Sequence, residues 1–266
     1  MARIGFGNPG LMGMLDGRCA LITGASGGIG RVTAIEFARE GARSVGLHYA
    51  TNRVAAECPT KEVKKLGARA VLLQADVSRR DQAKRMVEAF VKGAGRIDTL
   101  VCCAGYPFRR EDWFANFEDL GEEAFLHPFR IDLLGSFFAA QAAAAEMKRQ
   151  RSGSIVFVGS TPAITGDTVG LSYYVSKAGV LALTKGLAQI LGPFNIHVNA
   201  VALGAVDTEA MSVLKEKERK ALAEEVALRR TGDPVEIARK IVFLCSDDAS
   251  FLTGHTLVVD GGYAMR

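Results

Sequence analysis

The segment SYYVSK, residues 172–177, places two tyrosines shortly before a lysine. On an α-helix, residues three and four positions apart lie on neighbouring parts of one face, so Tyr173 and Tyr174 could both approach Lys177. A phenol beside a lysine cation is a candidate proton donor and acceptor, because the positive charge favours the phenolate. The spacing alone does not decide which tyrosine would do this chemistry, and core packing is the alternative role for either ring.

A glycine-rich turn, TGASGGIG at 23–30, follows a predicted strand and begins a predicted helix. Glycines in such a turn allow close backbone approach, and the helix N-terminus offers unpaired N–H groups to an anion. This strand–turn–helix context favours a dinucleotide site over an ordinary loop. The residues expected to contact the dinucleotide here are Gly24, Ser26, Gly28, Ile29 and Gly30.

The end of the second predicted strand, HYATNR at 48–53, contains no acidic residue. In dinucleotide-binding folds an acid at this point binds the ribose hydroxyls of NAD, and it would repel a 2′-phosphate. Its absence favours NADP(H), with Thr51, Asn52 and Arg53 as donors to the phosphate. NAD(H) is the alternative cofactor.

The third predicted strand ends in ADV, residues 75–77. Asp76 would lie where a carboxylate can accept a hydrogen bond from the adenine amino group, with Val77 beside it. A helix cap formed with Ser78 is the alternative role for Asp76, and the two roles can coexist.

Short apolar runs alternate along the chain with longer amphipathic segments. The predicted strands cover 19–23, 44–49, 70–75, 97–103, 154–160, 196–202 and 256–260. Strands that alternate with helices predict a parallel sheet covered by helices on both faces. Because no linker-like tract or repeat interrupts the pattern, we predict one doubly wound α/β domain over residues 16–266, preceded by a flexible N-terminal extension at 1–15.

Two segments depart from this alternation. Residues 121–149 have a helical pattern, but Pro128 removes a backbone donor and predicts a kink. Residues 207–230 are polar and helical between the sixth strand and the next helix. At the carboxyl edge of the sheet this segment could be a helical lid over a pocket, and a surface helical hairpin is the alternative.

The composition limits the classes of function. A net charge of +4 is small for 266 residues, and the basic clusters are interleaved with glutamates at helical spacing, which predicts solvated helix faces and no nucleic-acid partner. Five scattered cysteines without a CxxC pair indicate a reducing, cytoplasmic location. The four histidines form no HxH or HxxxH pair, so no metal site is expected, and no apolar run reaches the about 18 residues of a membrane span.

Taken together, the motifs resemble those of the short-chain dehydrogenase/reductase family, and especially its 3-oxoacyl-carrier-protein-reductase-like members. The likeness extends from about residue 16 to residue 263. It rests on TGASGGIG, ADVS at 75–78, CCAG at 102–105, GSIVFVGS at 153–160, YYVSK at 173–177, HVNAVALGAVDT at 197–208 and LTGHTLVVDGG at 252–262. The resemblance implies a single Rossmann-like domain, a nicotinamide cofactor and a Ser–Tyr–Lys site with a helper asparagine.

The resemblance also chooses between the two tyrosines. The family motif is YxxxK, and only Tyr173 lies four positions before Lys177. The family spacing puts the catalytic serine thirteen positions before that tyrosine, at Ser160. By this likeness Tyr173 would exchange the proton, Ser160 would stabilise the carbonyl oxygen, and Lys177 would also bind the nicotinamide ribose. Tyr174 would point about 100° around the helix and pack.

Three positions depart from the family pattern. Asp132 replaces the asparagine that helps to hold a proton-relaying water, which implies retained but pH-shifted activity. Cys103 replaces an asparagine beside the cofactor ribose, and Leu203 replaces a proline before the nicotinamide loop. The remaining cofactor contacts that the resemblance implies are Ala104, Gly105, Gly204, Val206 and Thr208.

The substrate pocket is expected to have walls from 106–114, 161–165 and 207–230. Rings such as Phe108 and Trp113 suggest an apolar or aromatic-tolerant pocket. The leading hypothesis is NADPH-dependent reduction of a ketone, most plausibly a 3-oxoacyl thioester. The alternatives are a sugar or secondary-alcohol dehydrogenase of the same family and a non-catalytic cofactor-binding regulator. The resemblance also implies a homotetramer or homodimer.

Overall fold

A computed structural model describes residues 13–265 of the chain and contains one parallel sheet. Its strands are β1 Cys19–Thr23, β2 Ser44–Tyr49, β3 Arg69–Gln74, β4 Thr99–Cys102, β5 Gly153–Ser160, β6 Ile196–Leu203 and β7 Thr256–Val259. They lie in the order β3-β2-β1-β4-β5-β6-β7. All the predicted strands are present with ends within two residues of the prediction, and the doubly wound α/β fold is confirmed.

Helices cover both faces of this sheet. They are α1 Gly28–Arg39, α2 Arg53–Lys65, α3 Arg80–Ala94, α4 Arg110–Trp113, α5 Glu122–Pro128, α6 Ser136–Gln150, α7 Pro162–Thr165, α8 Leu171–Leu191, α9 Glu216–Glu224 and α10 Pro234–Cys245. Short 3₁₀ helices occupy 117–119, 192–194, 209–213 and 247–249. No helix within residues 13–265 has the length and apolar character that crossing a bilayer requires.

The core consists of two apolar clusters, one on each face of the sheet. Successive side chains of a strand point to opposite faces, so Leu21 joins the cluster that contains Phe90, while its neighbour Ile22 joins the cluster that contains Phe37. Every residue of β1 is buried, as expected for a central strand covered on both sides. This burial explains why the strands read in the sequence as continuous apolar runs.

The strand order reverses between β1 and β4, because β2 and β3 are added on one side of β1 and β4 to β7 on the other. β1 pairs with β2 on one side and with β4 on the other, so the connections on its two sides run to opposite halves of the sheet. In open α/β sheets the carboxyl ends of the strands at such a point form a crevice in which ligands bind. Apart from Asp132 on the segment before α6, the predicted site residues follow the carboxyl ends of the strands or lie on α8, so this crevice is where they are expected to meet.

The irregularity predicted near Pro128 is a π-helical segment. Pro128 is the last residue of α5, a π helix follows over Phe129–Gly135, and α6 resumes the α-helical pattern at Ser136. Proline supplies no backbone N–H, which interrupts the regular hydrogen-bond ladder, and π segments commonly bend a helix. The segment contains Asp132, whose side chain is fully buried.

Most of the predicted N-terminal extension, residues 1–12, lies outside the described residues. Its last residues are packed onto the sheet. Leu15 is fully buried in the cluster around Phe37, and its N–H donates to the Glu40 carbonyl at 2.9 Å. The packed part of the chain therefore begins before residue 16, because Leu15 covers the end of α1.

Candidate active site

The predicted catalytic residues come from β5, the π segment and α8. Ser160 is the last residue of β5, and its buried hydroxyl donates to the Leu203 carbonyl at 3.5 Å. Lys177 lies one turn after Tyr173 on α8, and its Nζ is 5.6 Å from the centre of the Tyr173 ring. The same Nζ donates to the Val158 carbonyl of β5 at 3.0 Å, which fixes the lysine against the sheet.

Asp132 forms a buried ion pair with Lys177. Its Oδ1 lies 3.6 Å from the lysine Nζ and accepts the backbone N–H of Tyr106 at 2.8 Å. Its Oδ2 accepts the Ser176 hydroxyl at 3.1 Å. A fully buried carboxylate is stable only when it is paired and hydrogen-bonded, and these three partners meet that requirement. The proximity of Asp132 to Lys177 was expected, whereas the roles of Ser176 and Tyr106 were not predicted.

The charge of Lys177 depends on Asp132. Burial is the strongest influence on the pKa of the Lys177 ammonium and lowers it, but the charge of Asp132, with smaller contributions from Tyr173 and Cys103, outweighs burial. The pKa of Lys177 therefore lies above its ordinary value of 10.5, and the lysine is a cation at neutral pH. This arrangement holds a positive charge beside the Tyr173 ring without exposing it to solvent.

The glycine turn packs closely against the end of β4. Gly24 has φ +66°, and a side chain there would place its Cβ 2.7 Å from the Ala104 nitrogen. A Cβ on Gly30 would lie 2.4 Å from the Gly24 oxygen. The Ala104 N–H donates to the Thr23 hydroxyl at 3.0 Å. These distances show why the turn requires glycine at both positions.

His48, which was not predicted to have a role, anchors this turn. Its Nδ1 accepts the Gly24 N–H at 3.0 Å, and its Nε2 lies 3.0 Å from the Ala75 carbonyl. Because one ring nitrogen accepts and the other must donate, the ring is neutral with its proton on Nε2. Burial lowers the pKa of His48, which favours that neutral form.

The residues predicted to contact the adenosine half follow β2 and β3. Thr51 and Asn52 are exposed, and the Asn52 side chain accepts a hydrogen bond from the first turn of α2 at 3.0 Å. Asp76 Oδ1 accepts the Ser78 N–H at 3.0 Å and the Ser78 hydroxyl at 2.6 Å. The N-cap of α3 is Arg79, so Asp76 closes a turn before the helix instead of capping it.

Cys102 is buried in the core at the end of β4, and Cys103 packs against the apolar cluster around Phe37. Burial raises the pKa of the Cys103 thiol to about 12 and also raises the pKa of Cys102. Both thiols are therefore protonated at neutral pH. Because the thiolate is the nucleophilic form, neither cysteine is expected to act as a nucleophile. Within residues 13–265 no cluster of side chains with metal-ligating character is present.

The other predicted cofactor residues lie around the same crevice. Ile29 packs on an apolar core cluster and Val77 is buried within one, so their contacts with a dinucleotide would come from the backbone. A Cβ on Gly204 would lie 2.9 Å from the Asp260 Cα. Ser26 lies in the glycine turn, Gly105 lies beside Asp132, and Val206 bridges to Gly232. Gly28 begins α1, and the Thr208 side chain lies 3.7 Å from the position that a Cβ on Gly28 would take.

Trp113 forms an aromatic wall beside Tyr173. Its ring centre is 5.2 Å from that of Tyr173 and 5.0 Å from that of Phe108. The Trp113 carbonyl accepts the Gly170 N–H at 2.8 Å, which joins the 106–114 segment to the start of α8. Ile164 of α7, in another predicted wall, is half exposed.

An ion pair joins this wall to α9. Arg110 donates from both terminal nitrogens to Glu218, at 2.6 and 3.1 Å. The hydrogen bonds from Arg110, followed by one from the Lys215 backbone, lower the pKa of Glu218 to about 2. The helical segment predicted at 207–230 therefore contacts the wall segment, through two side chains that are far apart in sequence.

Comparison with known proteins gives a consistent result. A family model described as enoyl-(acyl carrier protein) reductase matches residues 24–264. The L-rhamnose 1-dehydrogenase (NAD(P)(+)) of Azotobacter vinelandii is 38% identical over 257 residues, which cover 94% of this chain and 97% of that protein. The 3-oxoacyl-[acyl-carrier-protein] reductase FabG of Thermotoga maritima is 37% identical over 255 residues, which cover 93% of this chain and 98% of that protein.

A crystal structure of a dehydrogenase/reductase from Sinorhizobium meliloti superposes with a TM-score of 0.86 at 31% identity, covering 94% of this chain and 96% of that one. The matches extend from the glycine turn to the last strand, over all the motifs described above. The relatives are oxidoreductases, although they are named for different substrates. The chain belongs to the short-chain dehydrogenase/reductase family of NAD(P)-dependent oxidoreductases.

Proposed function

We propose that the protein reduces a ketone with NADPH, and that the substrate is a 3-oxoacyl thioester. The observation that carries this proposal is the buried Lys177 cation, paired with Asp132 and adjacent to the Tyr173 ring. Burying the Lys177 ammonium costs desolvation free energy, so the charge needs a partner or a role that compensates for this cost. Stabilising the phenolate that remains after proton transfer to an alkoxide is such a role.

Binding of a dinucleotide is supported by the glycine turn, because Gly24 and Gly30 let the turn pack tightly on Ala104 and on itself, and the space beside Gly27 contains no atom within 4 Å of an added Cβ. When bound, the reduced cofactor supplies hydride to the carbonyl carbon. The chain's own residues then control the oxygen: the Ser160 hydroxyl donates to it, and Tyr173 gives it a proton. Lys177 stabilises the resulting phenolate. In the opposite direction Tyr173 would accept the proton of the alcohol.

The preference for NADPH is supported by the residues after β2. Thr51, Asn52 and Arg53 are exposed at that edge, and none of them is acidic. A 2′-phosphate would therefore meet donors and a guanidinium instead of a carboxylate. The rhamnose dehydrogenase relative is named for both NAD⁺ and NADP⁺, so NAD(H) is the alternative to be measured.

We also propose that residues 207–230 form a lid over the substrate pocket. The hydrogen bonds between Arg110 and Glu218 support this role, because they join α9 to the wall that carries Trp113. Because this contact is made by two side chains, α9 could separate from the wall without disturbing the sheet. The N-terminal extension, predicted at 1–15, is proposed to end before Leu15, because that residue is packed in the core of the domain.

We propose that the protein forms a homotetramer, with a homodimer as the alternative. We also propose that it is located in the cytoplasm. β7 is at the edge of the sheet and leaves Val258 39% exposed, which supports pairing with another copy. The cysteines in residues 13–265 are all free thiols, which supports a reducing location. Size-exclusion chromatography with light scattering measures the assembly, and a monomer would contradict the proposal.

A second candidate function is oxidation of a sugar at a secondary or anomeric hydroxyl. Trp113 favours it, because an aromatic plane beside the catalytic tyrosine can pack against the apolar face of a sugar ring. One relative is named as a rhamnose dehydrogenase, which makes L-rhamnose the first sugar to test. A non-catalytic cofactor-binding regulator is the third alternative.

The test follows nicotinamide absorbance with purified protein, NADPH and an acetoacetyl thioester. Tyr173→Phe should lower turnover by a factor of about 10² to 10⁴, while Tyr174→Phe should leave it nearly unchanged. A parallel assay contains L-rhamnose with NADP⁺ or NAD⁺. Turnover only in the second assay would support the sugar dehydrogenase. NADPH binding without any turnover, insensitive to Tyr173→Phe, would favour the regulator.

A further inference from the structure

A carboxylate of the chain itself occupies the N-terminus of α1. Glu209, the first residue of the 3₁₀ helix at 209–213, accepts the Gly28 N–H at 3.2 Å through Oε2. Its Oε1 lies 2.5 Å from Nη2 of Arg31, in the first turn of the same helix. One side chain therefore bridges the glycine turn and α1, although it comes from the segment that follows β6.

This side chain carries a full negative charge. The backbone N–H of Glu209 is the strongest influence that lowers the pKa of its carboxyl group, and the Gly28 N–H and Arg31 lower it further against the opposing effect of burial. A negative charge at this end of a helix is favourable, because the N-terminus carries a partial positive charge. The contact is therefore a capping interaction made from outside the helix.

The same end of α1 is where the pyrophosphate of a dinucleotide binds in this fold. The Gly28 N–H is a single donor, so its hydrogen bond to Glu209 competes with one to a phosphate oxygen. Two anions at one helix terminus also repel each other. Since the Thr208 side chain lies only 3.7 Å from the Cβ position of Gly28, the segment that carries Glu209 lies directly over the turn.

We propose that Glu209 is a built-in competitor of the cofactor, whose carboxylate occupies the pyrophosphate position and is displaced when the dinucleotide binds. Displacement also releases Arg31 from its ion pair, and the freed guanidinium can pair with the incoming phosphate. The inference rests on the proposed cofactor-binding function. It adds a residue that weakens binding, where sequence motifs identify only residues that strengthen it.

The competition couples the cofactor to the proposed lid. Glu209 lies at the start of the 207–230 segment, and Glu218 of the same segment contacts Arg110 of the substrate wall. A cofactor that detaches Glu209 from α1 thus removes one of the contacts that hold this segment. Because the cofactor and Glu209 exclude each other at α1, a change in the 207–230 segment that strengthens the contact of Glu209 with Gly28 and Arg31 should weaken the affinity for the cofactor by the same factor.

The test is the dissociation constant of NADPH, measured by titration calorimetry with the full chain. Glu209→Gln keeps the length of the side chain but removes its charge. Because the capping interaction of an exposed charge is modest, the variant should bind NADPH about twofold to fivefold more tightly. The matched control is Glu216→Gln, an exposed residue of α9 with no ion pair or hydrogen bond to α1 within residues 13–265.

A second probe separates competition from a general charge effect. Adenosine 2′-monophosphate lacks the pyrophosphate, so Glu209→Gln should leave its affinity unchanged. Unchanged or weaker NADPH binding by Glu209→Gln would overturn the inference, as would equal tightening for both probes or in Glu216→Gln. If the unsubstituted protein binds no dinucleotide, the proposed function itself fails. Binding of NADPH without an effect of Glu209→Gln overturns only the inference.

Discussion

Replacing Asp132 by asparagine removes one negative charge from a fully buried position and keeps the shape of the side chain. The amide oxygen can still accept one of the hydrogen bonds that Tyr106 and Ser176 donate to the carboxylate. The substitution therefore isolates the electrostatic part of the Asp132–Lys177 pair. Asp248→Asn, which alters an exposed aspartate in the 3₁₀ helix at 247–249, is the matched control.

The magnitude follows from the 3.6 Å separation of Asp132 Oδ1 and Lys177 Nζ. With an effective dielectric constant of about 20, the attraction between unit charges at that distance is roughly 4–5 kcal/mol. Without it, the burial of the ammonium is no longer offset. We expect Asp132→Asn to lower the free energy of unfolding at neutral pH by about 3 kcal/mol, in the range observed when one partner of a buried pair is removed.

The pH dependence has opposite signs in the two proteins. In the unsubstituted protein the pKa of Lys177 is above 10.5, so its contribution to stability is complete below that pH and is lost as the pH rises through the folded-state pKa. In Asp132→Asn the largest influence that raises the pKa of Lys177 is gone, so we expect burial to bring this pKa below the unfolded value. The stability of the variant should then increase as the pH rises toward 10.5. The alkaline loss of kcat/KM should begin at a lower pH.

Urea denaturation at a series of pH values and the pH profile of kcat/KM measure these effects. Reduced activity with an alkaline limb shifted to lower pH is the expected result, together with unchanged behaviour of Asp248→Asn. Asp132→Asn with the stability and pH profile of the unsubstituted protein would refute the reasoning. It would mean that the carboxylate does not control the charge of Lys177.

Two further predictions concern the glycine turn and the wall. Gly30→Ala should lower the free energy of unfolding, measured by urea denaturation, by about 1–3 kcal/mol, because its Cβ would lie 2.4 Å from the Gly24 oxygen. The control is Gly27→Ala, where the added Cβ meets no atom within 4 Å and the free energy of unfolding should change by less than about 0.5 kcal/mol. Equal effects of the two substitutions would contradict this account. Glu218→Gln should raise KM for the acyl thioester severalfold with little change in stability, since the pair with Arg110 is partly exposed. Arg110→Gln should have the same effect, and additive effects in the double variant would show that the two residues act separately.

The sequence predicted the sheet well because its inner strands are almost entirely buried. The ends of β1 and β2 were correct, since apolar residues there give way at once to the glycine turn and to polar residues. The prediction for β4 was longer than the observed Thr99–Cys102. Asp98, included in the prediction, accepts the Cys19 N–H at 2.8 Å through its side chain and precedes the strand.

The site was predictable only where its residues share a helix or a known spacing. Tyr173 and Lys177 lie on one helix, and the family pattern indicated Asp132. The contact between Arg110 and Glu218 joins residues 108 positions apart, and no periodicity in the sequence marks such a pair. The same holds for Glu209, because an exposed glutamate in a polar helical segment is most often simply solvated.

Trp113 is the single tryptophan of the chain, and its ring lies 5.2 Å from the ring of Tyr173. The indole fluorescence of the whole protein therefore originates beside the proposed catalytic centre. Reduced nicotinamide absorbs in the wavelength range in which indole emits, so a bound cofactor would quench this emission by energy transfer. The fold thus places an optical probe beside the proposed site, and its emission would report cofactor binding without any added label.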